Sequence, residues 1–269
     1  MTSLDMQLDI KRKRLFMLDM DGTIYLGDKL FEQTIPFLEC ITAIGAQYVF
    51  LTNNSSKSTA VYKQKLAKMG IFAEDWQIIT SSKVTAAYLV EMYGKQAIYA
   101  LGTTAFCEEL RAFGLNLVDS DNHDIAALVM GFDTELTFDK LHDASILLTR
   151  SRGVDYIATN CDLVCPTEFG SVPDCGSVAQ MLENATGRTP LFMGKPDPRI
   201  VRMALEITDT SAADAVLIGD RLYTDIACGI AAGVDTALVL SGEAKCEDIA
   251  ASPHKPTYVF ENVGRILDE

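Results

Sequence analysis

The sequence has no apolar run long enough to cross a bilayer, and it has little positive charge. No stretch reaches the roughly 18 apolar residues that a transmembrane helix needs. Lysine and arginine number 23 against 37 aspartates and glutamates, which gives a formal net charge of −14. A surface of that sign repels nucleic-acid phosphates and anionic lipids. The charge balance therefore argues against nucleic-acid and membrane partners, and any anionic substrate needs a local positive charge at its site.

The sequence also lacks a cysteine framework. Its seven cysteines are odd in number and scattered, and the amino-terminal segment MTSLDMQLDIKRKR is not followed by the apolar core of a secretory signal. This pattern predicts reduced thiols and a cytoplasmic location. Cys161, Cys165 and Cys175 lie close together in the chain, but they lack CxxC spacing and a fourth ligand. The cluster therefore favours ordinary thiols over structural zinc.

What the sequence does have is a series of continuous apolar runs that alternate with helical stretches, as in α/β proteins. Four of them are LFMLDM at 15–20, QYVFLTN at 47–53, AVLIGD at 215–220 and TALVLSG at 236–242. Continuous runs are typical of strands that are buried on both faces of a parallel sheet. The first three end in polar residues, among them Asp19, Thr52 and Asp220. Ligands bind at the carboxyl ends of such strands, so we expect these three ends to share one crevice.

The middle of the chain restarts the same pattern with its own strands and helices. The segment before it, of about 80 residues, is too short to complete a sheet that also needs the strands after residue 190. We therefore predict a discontinuous core domain, 1–81 and 189–269, interrupted by an inserted α/β domain at 82–188.

The segment LFMLDMDGTIY places two carboxylates at the end of a buried strand. Asp19 ends the apolar run, Asp21 follows two residues later, and Gly22 permits a turn. Such a pair suits a division of labour, with one carboxylate as nucleophile or metal ligand and the other as proton donor. Taken alone, the segment is equally compatible with an Asp-rich turn that has no chemical role.

Two further segments offer positions for a phosphate. In VFLTNNSSKS the strand ends at Thr52, and Ser55 or Ser56 is the predicted N-cap of a helix whose free N–H groups suit an anion. An ordinary strand–turn–helix cap explains the same letters. In MGKPDPRI, Lys195 precedes a helix predicted at 198–206, where its charge suits a carboxylate–phosphate pair, although a solvated lysine is an open alternative.

The segment VLIGDRLYTDIACGIAAG adds two more carboxylates. Asp220 ends a strand, and Asp225 lies in the turn that enters a helix rich in glycine and alanine. Carboxylate oxygens at a strand end suit Mg²⁺. For Asp225 the sequence leaves two roles open, binding the metal through water or holding Lys195.

Together, these four segments resemble the motifs of the haloacid dehalogenase (HAD) superfamily phosphatases. DMDGT resembles the first motif, LTN the second, GKP the third and GDRLYTD the fourth. Only 33 residues separate Asp19 from Thr52, against 143 between Thr52 and Lys195, so the insert resembles a type IIA (C2) cap. DGTIYLGD, LTNNSSKS, ATNCDLVCP and GKPDP are similar to the NagD-like and 4-nitrophenylphosphatase branch. The resemblance implies an α/β fold with a Rossmann-like parallel-sheet core and an inserted α/β C2-type cap.

The same resemblance implies a Mg²⁺-dependent phosphomonoesterase that hydrolyses small phosphorylated metabolites, such as sugar phosphates or nucleotides, and 4-nitrophenyl phosphate. It implies an aspartyl-phosphate on Asp19, with Asp21 as the acid and then the base. The remaining implied roles are metal binding by Asp19, the Asp21 carbonyl and Asp220, support of that site by Asp225, and phosphate binding by Thr52, Asn53, Asn54 and Lys195.

Other questions stay open at the level of sequence. The loop that carries Asn160 and Asp162 is expected to face the leaving group when the cap covers the site. A phosphomutase or phosphotransferase would use the same intermediate, and a non-catalytic regulator that binds phosphometabolites would keep the fold. The oligomeric state is also open, a homodimer included.

Overall fold

A computed structural model of the chain describes residues 9–167 and 169–267. The first eight residues of the segment that was searched for a secretory signal lie outside this part. The chain divides into two compact units. We call Met1–Thr52, Thr59–Ile79 and Lys195–Glu269 the core unit, and Asn53–Ser58 and Thr80–Gly194 the inserted unit.

The strands and helices of the described residues are numbered in chain order. The strands are β1 Leu15–Asp19, β2 Tyr25–Leu26, β3 Lys29–Leu30, β4 Gln47–Thr52, β5 Ile78–Thr80, β6 Ala97–Leu101, β7 Asn116–Leu117, β8 Ile125–Met130, β9 Asp155–Ala158, β10 Val164–Thr167, β11 Gly170–Pro173, β12 Leu191–Phe192, β13 Ala215–Gly219, β14 Asp235–Val239 and β15 Tyr258–Phe260. The α-helices are α1 Thr34–Ala43, α2 Thr59–Lys68, α3 Ser81–Tyr93, α4 Thr104–Ala112, α5 Phe138–Arg150, α6 Cys175–Thr186, α7 Arg199–Thr208, α8 Ala227–Ala232 and α9 Cys246–Ala251.

The core unit is built on a sheet with the strand order β15-β14-β13-β1-β4-β5. The pairs from β15 to β4 are parallel, and Asp19 at the end of β1 lies opposite Leu51 in β4. All five residues of β1 are buried, which explains the continuous apolar run in the sequence. The strands β13, β1 and β4 are neighbours, so the carboxyl ends that carry Asp220, Asp19 and Thr52 meet at one edge, as the sequence predicted. The α/β class is also confirmed.

Helices of the core unit cover this sheet with their apolar faces. In α1 the buried side chains Phe37, Leu38 and Ile41 recur at helical spacing, and Phe37 packs edge-on against Phe16 of β1. The ring centroids of this aromatic pair are 6.1 Å apart, a favourable separation for an edge-to-face contact. This packing fixes the strand that delivers Asp19.

The inserted unit has its own parallel sheet, in the order β12-β9-β8-β6-β7, and its own apolar core. The side chains of Thr103, Thr137 and Asp174 cap the starts of α4, α5 and α6. Strands β10 and β11 form an antiparallel hairpin between Val164 and Pro173. Within the part of the chain that the structure describes, no helix combines the length and apolar character needed to span a membrane.

One local prediction was wrong. The helix after β4 begins at Thr59 rather than after an N-cap at Ser55 or Ser56. The hydroxyl of Ser55 instead accepts a hydrogen bond from the N–H of Phe132, and the N–H of Ser56 donates to Asn54. These local hydrogen bonds hold the segment in a non-helical conformation, because Ser and Asn side chains compete with the helical pattern.

Candidate active site

Asp19 is the last residue of β1, and a tight turn follows it. The N–H of Ile24 donates to the carbonyl of Met20, and the N–H of Gly22 donates to the carbonyl of Tyr25 over 2.8 Å. Gly22 has a φ of 88°, a conformation that side chains with a Cβ rarely adopt. A Cβ at this position would also collide with the carboxylate of Asp220. The glycine of the first motif is therefore required both by the turn and by the closeness of the Asp220 carboxylate.

Lys195 holds two carboxylates at once. Its side chain is 3% exposed, and its Nζ donates to Oδ1 of Asp19 and to Oδ1 of Asp225, the latter over 2.6 Å. The lysine lies between β12 and α7, and it is joined to Pro196 by a cis peptide bond. Of the two roles left open for Asp225, the structure shows the contact with Lys195.

Backbone N–H groups bind the carboxylates of Asp220 and Asp225. Oδ2 of Asp220 accepts the N–H of Glu243 over 2.8 Å, and Oδ2 of Asp225 accepts the N–H of Arg221 over 3.1 Å. One carboxylate oxygen from each of Asp19, Asp220 and Asp225 lies within 4.8 Å of the others. The three predicted aspartates are therefore brought together from β1, from the end of β13 and from the turn before α8.

This cluster holds more negative charge than Lys195 neutralises. Burial raises the pKa of Asp19 well above its usual value, Lys195 offsets this only in part, and Asp225 and Asp220 add to the increase. Burial and the neighbouring Asp225 raise the pKa of Asp220 to about 6. Burial would lower the pKa of Lys195, but the negative charges of Asp19 and Asp225 outweigh burial and raise it.

The donor set fits a divalent cation. Three carboxylates and one ammonium leave a formal charge of −2 in a buried pocket. Hard oxygen ligands at this spacing suit Mg²⁺ or Ca²⁺, and a bound cation is the usual way in which such an excess of negative charge is balanced.

Asp21 and Thr52 also belong to the core unit, and their surroundings differ. Asp21 is half-exposed, and its Oδ2 accepts a hydrogen bond from the hydroxyl of Tyr25 over 3.3 Å. Burial, and next the charge of Asp21, raise the pKa of Tyr25, so this phenol stays protonated. Thr52 is buried at the end of β4, on the strand next to β1.

The other four predicted residues belong to the inserted unit. Nδ2 of Asn53 donates to Oδ2 of Asp162 over 3.0 Å, and Nδ2 of Asn160 donates to the carbonyl of Asn53 over 2.9 Å. Asn54 accepts from the N–H and the hydroxyl of Ser56 through its Oδ1. The predicted phosphate-binding residues Asn53 and Asn54 and the predicted cap-loop residues Asn160 and Asp162 thus share one unit.

The segment after β14 also contributes to the site, although its sequence gives little indication of this. There the N–H of Glu243 binds the carboxylate of Asp220, and the hydroxyl of Ser241 donates to the carbonyl of Gly22 over 2.8 Å. A Cβ on Gly242 would collide with Asp220, so this glycine is the one feature of the sequence that indicates the contact. A backbone donor leaves no other mark on the sequence.

Comparison with known proteins agrees with this arrangement. Residues 16–116 match the family described as haloacid dehalogenase-like hydrolase, and residues 192–266 match the HAD-hydrolase-like family. The chain is 32% identical to an acid sugar phosphatase from Staphylococcus saprophyticus, over 97% of this chain and 99% of that protein.

Solved structures give the same result. A 4-nitrophenylphosphatase from Thermotoga maritima matches with a TM-score of 0.91 and 38% identity, over 96% of this chain and 98% of that one. A glycerol phosphate phosphatase from Mycobacterium tuberculosis, solved in complex with magnesium, matches with a TM-score of 0.89 and 29% identity, over 97% of this chain and 78% of that one. The chain therefore belongs to the haloacid dehalogenase-like hydrolases and is a phosphatase of the NagD and 4-nitrophenylphosphatase type.

Proposed function

We propose that this phosphatase is a Mg²⁺-dependent phosphomonoesterase whose substrates are small phosphorylated polyols and sugars. The observation that carries the proposal is the cluster of Asp19, Asp220 and Asp225 around Lys195 at the end of β1. The substrate class is inferred from relatives that are named as acid sugar phosphatase and glycerol phosphate phosphatase. A divalent cation bound at this cluster would supply the positive charge that the acidic surface of this chain lacks.

In the first step, a carboxylate oxygen of Asp19 attacks the phosphorus, and the bond from phosphorus to the leaving oxygen breaks. Asp21 donates its proton to that oxygen, so the alcohol departs neutral. Lys195 stabilises the ionised form of Asp19 before the attack and the negative phosphoryl oxygens during it. The product of this step is an aspartyl-phosphate on Asp19.

In the second step, water attacks the same phosphorus and transfers a proton to the carboxylate of Asp21. The bond to the Asp19 oxygen then breaks, and inorganic phosphate leaves. We assign Thr52, Asn53 and Asn54 to the phosphoryl oxygens, because the amides and hydroxyls of these consecutive residues can donate to them.

Three residues would hold the magnesium ion: Asp19, Asp220 and, through its carbonyl, Asp21. When bound, this ion supplies charge compensation for the phosphoryl oxygens. Asp225 accepts a hydrogen bond from the same Nζ of Lys195 that binds Asp19, so we assign it an indirect contribution to the site. We assign the inserted unit as the cap, and the limits inferred from the sequence, 1–81 and 189–269 for the core and 82–188 for the cap, stay a prediction.

The test is phosphate release from glycerol phosphate, sugar phosphates, nucleotides and 4-nitrophenyl phosphate, with Mg²⁺ and with EDTA. We expect metal-dependent release by the wild type and a loss of at least about 10³-fold in kcat for Asp19→Asn, because the amide cannot act as the nucleophile. The Asp19→Asn variant should remain folded, since the change is nearly isosteric.

Asp235→Asn is the matched control. Asp235 is also ion-paired, with Lys13 over 2.5 Å, but it begins β14 and so lies at the opposite end of a parallel strand. Its variant should retain wild-type kcat. Phosphate moved to a second hydroxyl instead of released would favour a phosphotransferase, and binding without turnover would favour a regulator. The homodimer stays a prediction, which light scattering on the purified chain tests.

A further inference from the structure

The segment from Asn53 to Ser56 lies across the strand ends of the inserted sheet. The strands β9, β8 and β6 are consecutive neighbours in that sheet. Residues that follow each of these strands bind the segment. Along the segment, the contacts run from β9 to β8 to β6, which is the order of the strands in the sheet. The contacts are Asn53 with Asn160 after β9, Ser55 with Thr159 after β9 and Phe132 after β8, and Ser56 with Thr103 after β6.

These contacts are short, and those of Ser55 join buried groups. Oγ of Ser55 lies 2.8 Å from Oγ1 of Thr159 and accepts the N–H of Phe132 over 2.8 Å. The hydroxyl of Thr103 donates to the carbonyl of Ser56 over 3.1 Å. Buried polar groups that are fully paired fix a unique local geometry, because an unpaired alternative is costly. The segment is therefore held in place by the inserted unit along its length.

Asn53 is held from both its backbone and its side chain. Its carbonyl accepts from Nδ2 of Asn160 over 2.9 Å and from the hydroxyl of Ser81 over 2.6 Å. Its side-chain Nδ2 donates to Oδ2 of Asp162 over 3.0 Å. A Cβ on Gly194 would come within 2.6 Å of its Oδ1. Asn53 thus has one position and one side-chain orientation in this unit.

Asn160 and Asp162 are themselves fixed. Oδ1 of Asn160 accepts the N–H of Asp162 over 2.9 Å, so the Nδ2 of Asn160 is the group that faces Asn53. The carbonyl of Asp162 accepts the N–H of Gly176 in the first turn of α6 over 2.8 Å. Asn160 is fully buried and Asp162 nearly so. Both side chains are committed to the protein interior.

The carboxyl edge of an open parallel sheet is where such sheets bind their ligands. In the inserted unit the chain's own residues 53–56 occupy this edge at β6, β8 and β9. The segment follows Thr52 directly in the sequence and carries Asn53 and Asn54, to which the proposed function gives the phosphoryl oxygens. The residues at the carboxyl ends of these strands therefore help to fix the positions of Asn53 and Asn54.

We propose that Asn160 and Asp162 are positioning residues that hold Asn53 and its neighbours in the geometry that binds phosphate. This role is additional to the leaving-group contact expected from the sequence, which stays a prediction, and it rests on the proposed function. It makes the inserted unit a determinant of phosphate affinity. A misplaced segment weakens binding of the phosphoryl group to the same extent before and during the reaction, so KM rises more than kcat falls.

The test compares Asp162→Ala, which removes the acceptor, with Asp162→Asn, which keeps one acceptor oxygen. The measured quantities are kcat and KM for 4-nitrophenyl phosphate and the inhibition constant of inorganic phosphate. For Asp162→Ala we expect both KM and the inhibition constant to rise about tenfold, as the loss of a hydrogen bond to a charged group predicts. The kcat should change by less than about threefold, and Asp162→Asn should restore most of the affinity.

Asp133→Ala is the matched control. Asp133 is another buried carboxylate of the inserted unit, paired with Lys140 over 2.7 Å, and its variant should lose at least as much stability. Its KM and inhibition constant should stay at the wild-type values. Equal increases in Asp133→Ala and Asp162→Ala, or no increase in Asp162→Ala, would overturn the positioning role.

The two proposals fail in different ways. If the wild type releases no phosphate from any substrate, the proposed function fails, and thermal stabilisation by inorganic phosphate with Mg²⁺ becomes the readout. Stabilisation of the wild type and Asp162→Asn but not of Asp162→Ala would then still support the positioning role. Equal stabilisation of all three would contradict it.

Discussion

Asp19 and Asp21 stand two residues apart but in different surroundings. Asp19 is buried and bound by Lys195, whereas Asp21 is half-exposed and accepts a hydrogen bond from the hydroxyl of Tyr25. A nucleophile benefits from a fixed position beside a positive charge. A group that both gives and takes a proton needs access to the leaving oxygen and to water. The difference in surroundings matches the roles proposed for the two carboxylates.

The Asp21→Asn variant tests the proton-transfer role. The 4-nitrophenolate anion is stable enough to leave without a proton, whereas an alkoxide is not. We expect kcat for glycerol phosphate to fall by about 10² to 10⁴, and kcat for 4-nitrophenyl phosphate to fall at least about tenfold less. Single-turnover kinetics measures the first step for both substrates. An equal loss in that step would show that Asp21 is not the acid.

Asp220 gives the metal-free protein a pH-dependent stability. Its pKa in the folded chain is about 6, above the value of about 3.9 expected for an unfolded aspartate. The folded state therefore binds the proton more tightly, so this contribution is fully present below about pH 4 and is lost as the pH rises through 6. The difference is on the order of 3 kcal/mol, since each tenfold change in proton affinity is worth about 1.4 kcal/mol.

The measurement is the thermal unfolding of wild type and Asp220→Asn in EDTA from pH 4.5 to 7.5. Relative to the variant, the wild type should lose stability as the pH rises. Asp225→Asn serves as a comparison, because it removes the second largest cause of the raised pKa of Asp220 and should lower the pH at which the loss occurs. A constant difference between wild type and Asp220→Asn across the range would contradict the raised pKa.

Some of these site residues could be identified from the sequence alone and others could not. The difference depends on which atoms of each residue make the contact. Asp19, Lys195 and Asp220 end apolar runs or precede a helix, so their letters and spacing mark them. The N–H of Glu243 binds Asp220 through its backbone, and any residue could supply that group. Asn160 and Asp162 were noticed in the sequence, but their contacts with Asn53 span more than 100 residues of chain, and only the folded unit shows them.

At the scale of elements, the long strands were predictable and the short ones were not. The apolar runs at 15–20 and 215–220 match β1 and β13, because a strand buried on both faces must be apolar throughout. β7 and β12 have two residues each, at the two edges of the inserted sheet. Two residues carry no periodicity, so such strands leave no pattern to recognise.

Helix α8 illustrates how one small residue sets the distance between elements. Gly229 faces β14 so closely that a Cβ added to it would collide with Cγ2 of Thr236 and would lie 3.5 Å from Cβ of Leu217 in β13. A short π-helix, Leu222–Ile226, lies directly before α8 and carries Asp225, which binds Lys195. The position of the helix on the sheet is therefore linked to the position of a carboxylate in the site.

We expect Gly229→Ala to displace α8, to destabilise the protein by about 1 to 3 kcal/mol and to lower kcat/KM. Gly233→Ala is the control, since Gly233 ends the same helix at a φ of 74° with open space around it. That change should cost about 1 to 2 kcal/mol through backbone strain alone and leave kcat/KM unchanged. Chemical denaturation measures the stability of both variants, and steady-state kinetics measures their kcat/KM. Equal kcat/KM values in the two variants would show that the position of α8 does not affect the site.

At the scale of the whole molecule, each of the two units has an apolar core of its own among the described residues. One is formed by residues of the core unit, such as Phe16, Phe37 and Tyr258, and the other by residues of the inserted unit, such as Leu128 and Tyr156. The restart of the α/β pattern in mid-chain was the sequence signal for an insertion. The assignment of Asn53–Ser58 to the inserted unit had no such signal, because it depends on hydrogen bonds to strand ends that are distant in sequence.

Separate cores predict that a cation bound in one unit stabilises that unit preferentially. The carboxylates of Asp19, Asp220 and Asp225 all lie in the core unit. A ligand at 100 times its dissociation constant stabilises the state that binds it by about 2.7 kcal/mol. Units with their own cores can open separately, so this gain need not reach the other unit.

Hydrogen exchange followed by mass spectrometry, with EDTA and with saturating Mg²⁺, shows whether the metal stabilises the core unit alone or both units. We expect slower exchange with Mg²⁺ in peptides that cover β1, β13 and 220–244, and unchanged exchange in β6, β8 and β9. The Asp220→Asn variant should show no gain in either unit, because it lacks one of the proposed ligands. A gain of equal size in both units would mean that the molecule opens as one cooperative body, and that the insertion shares the stability of the core.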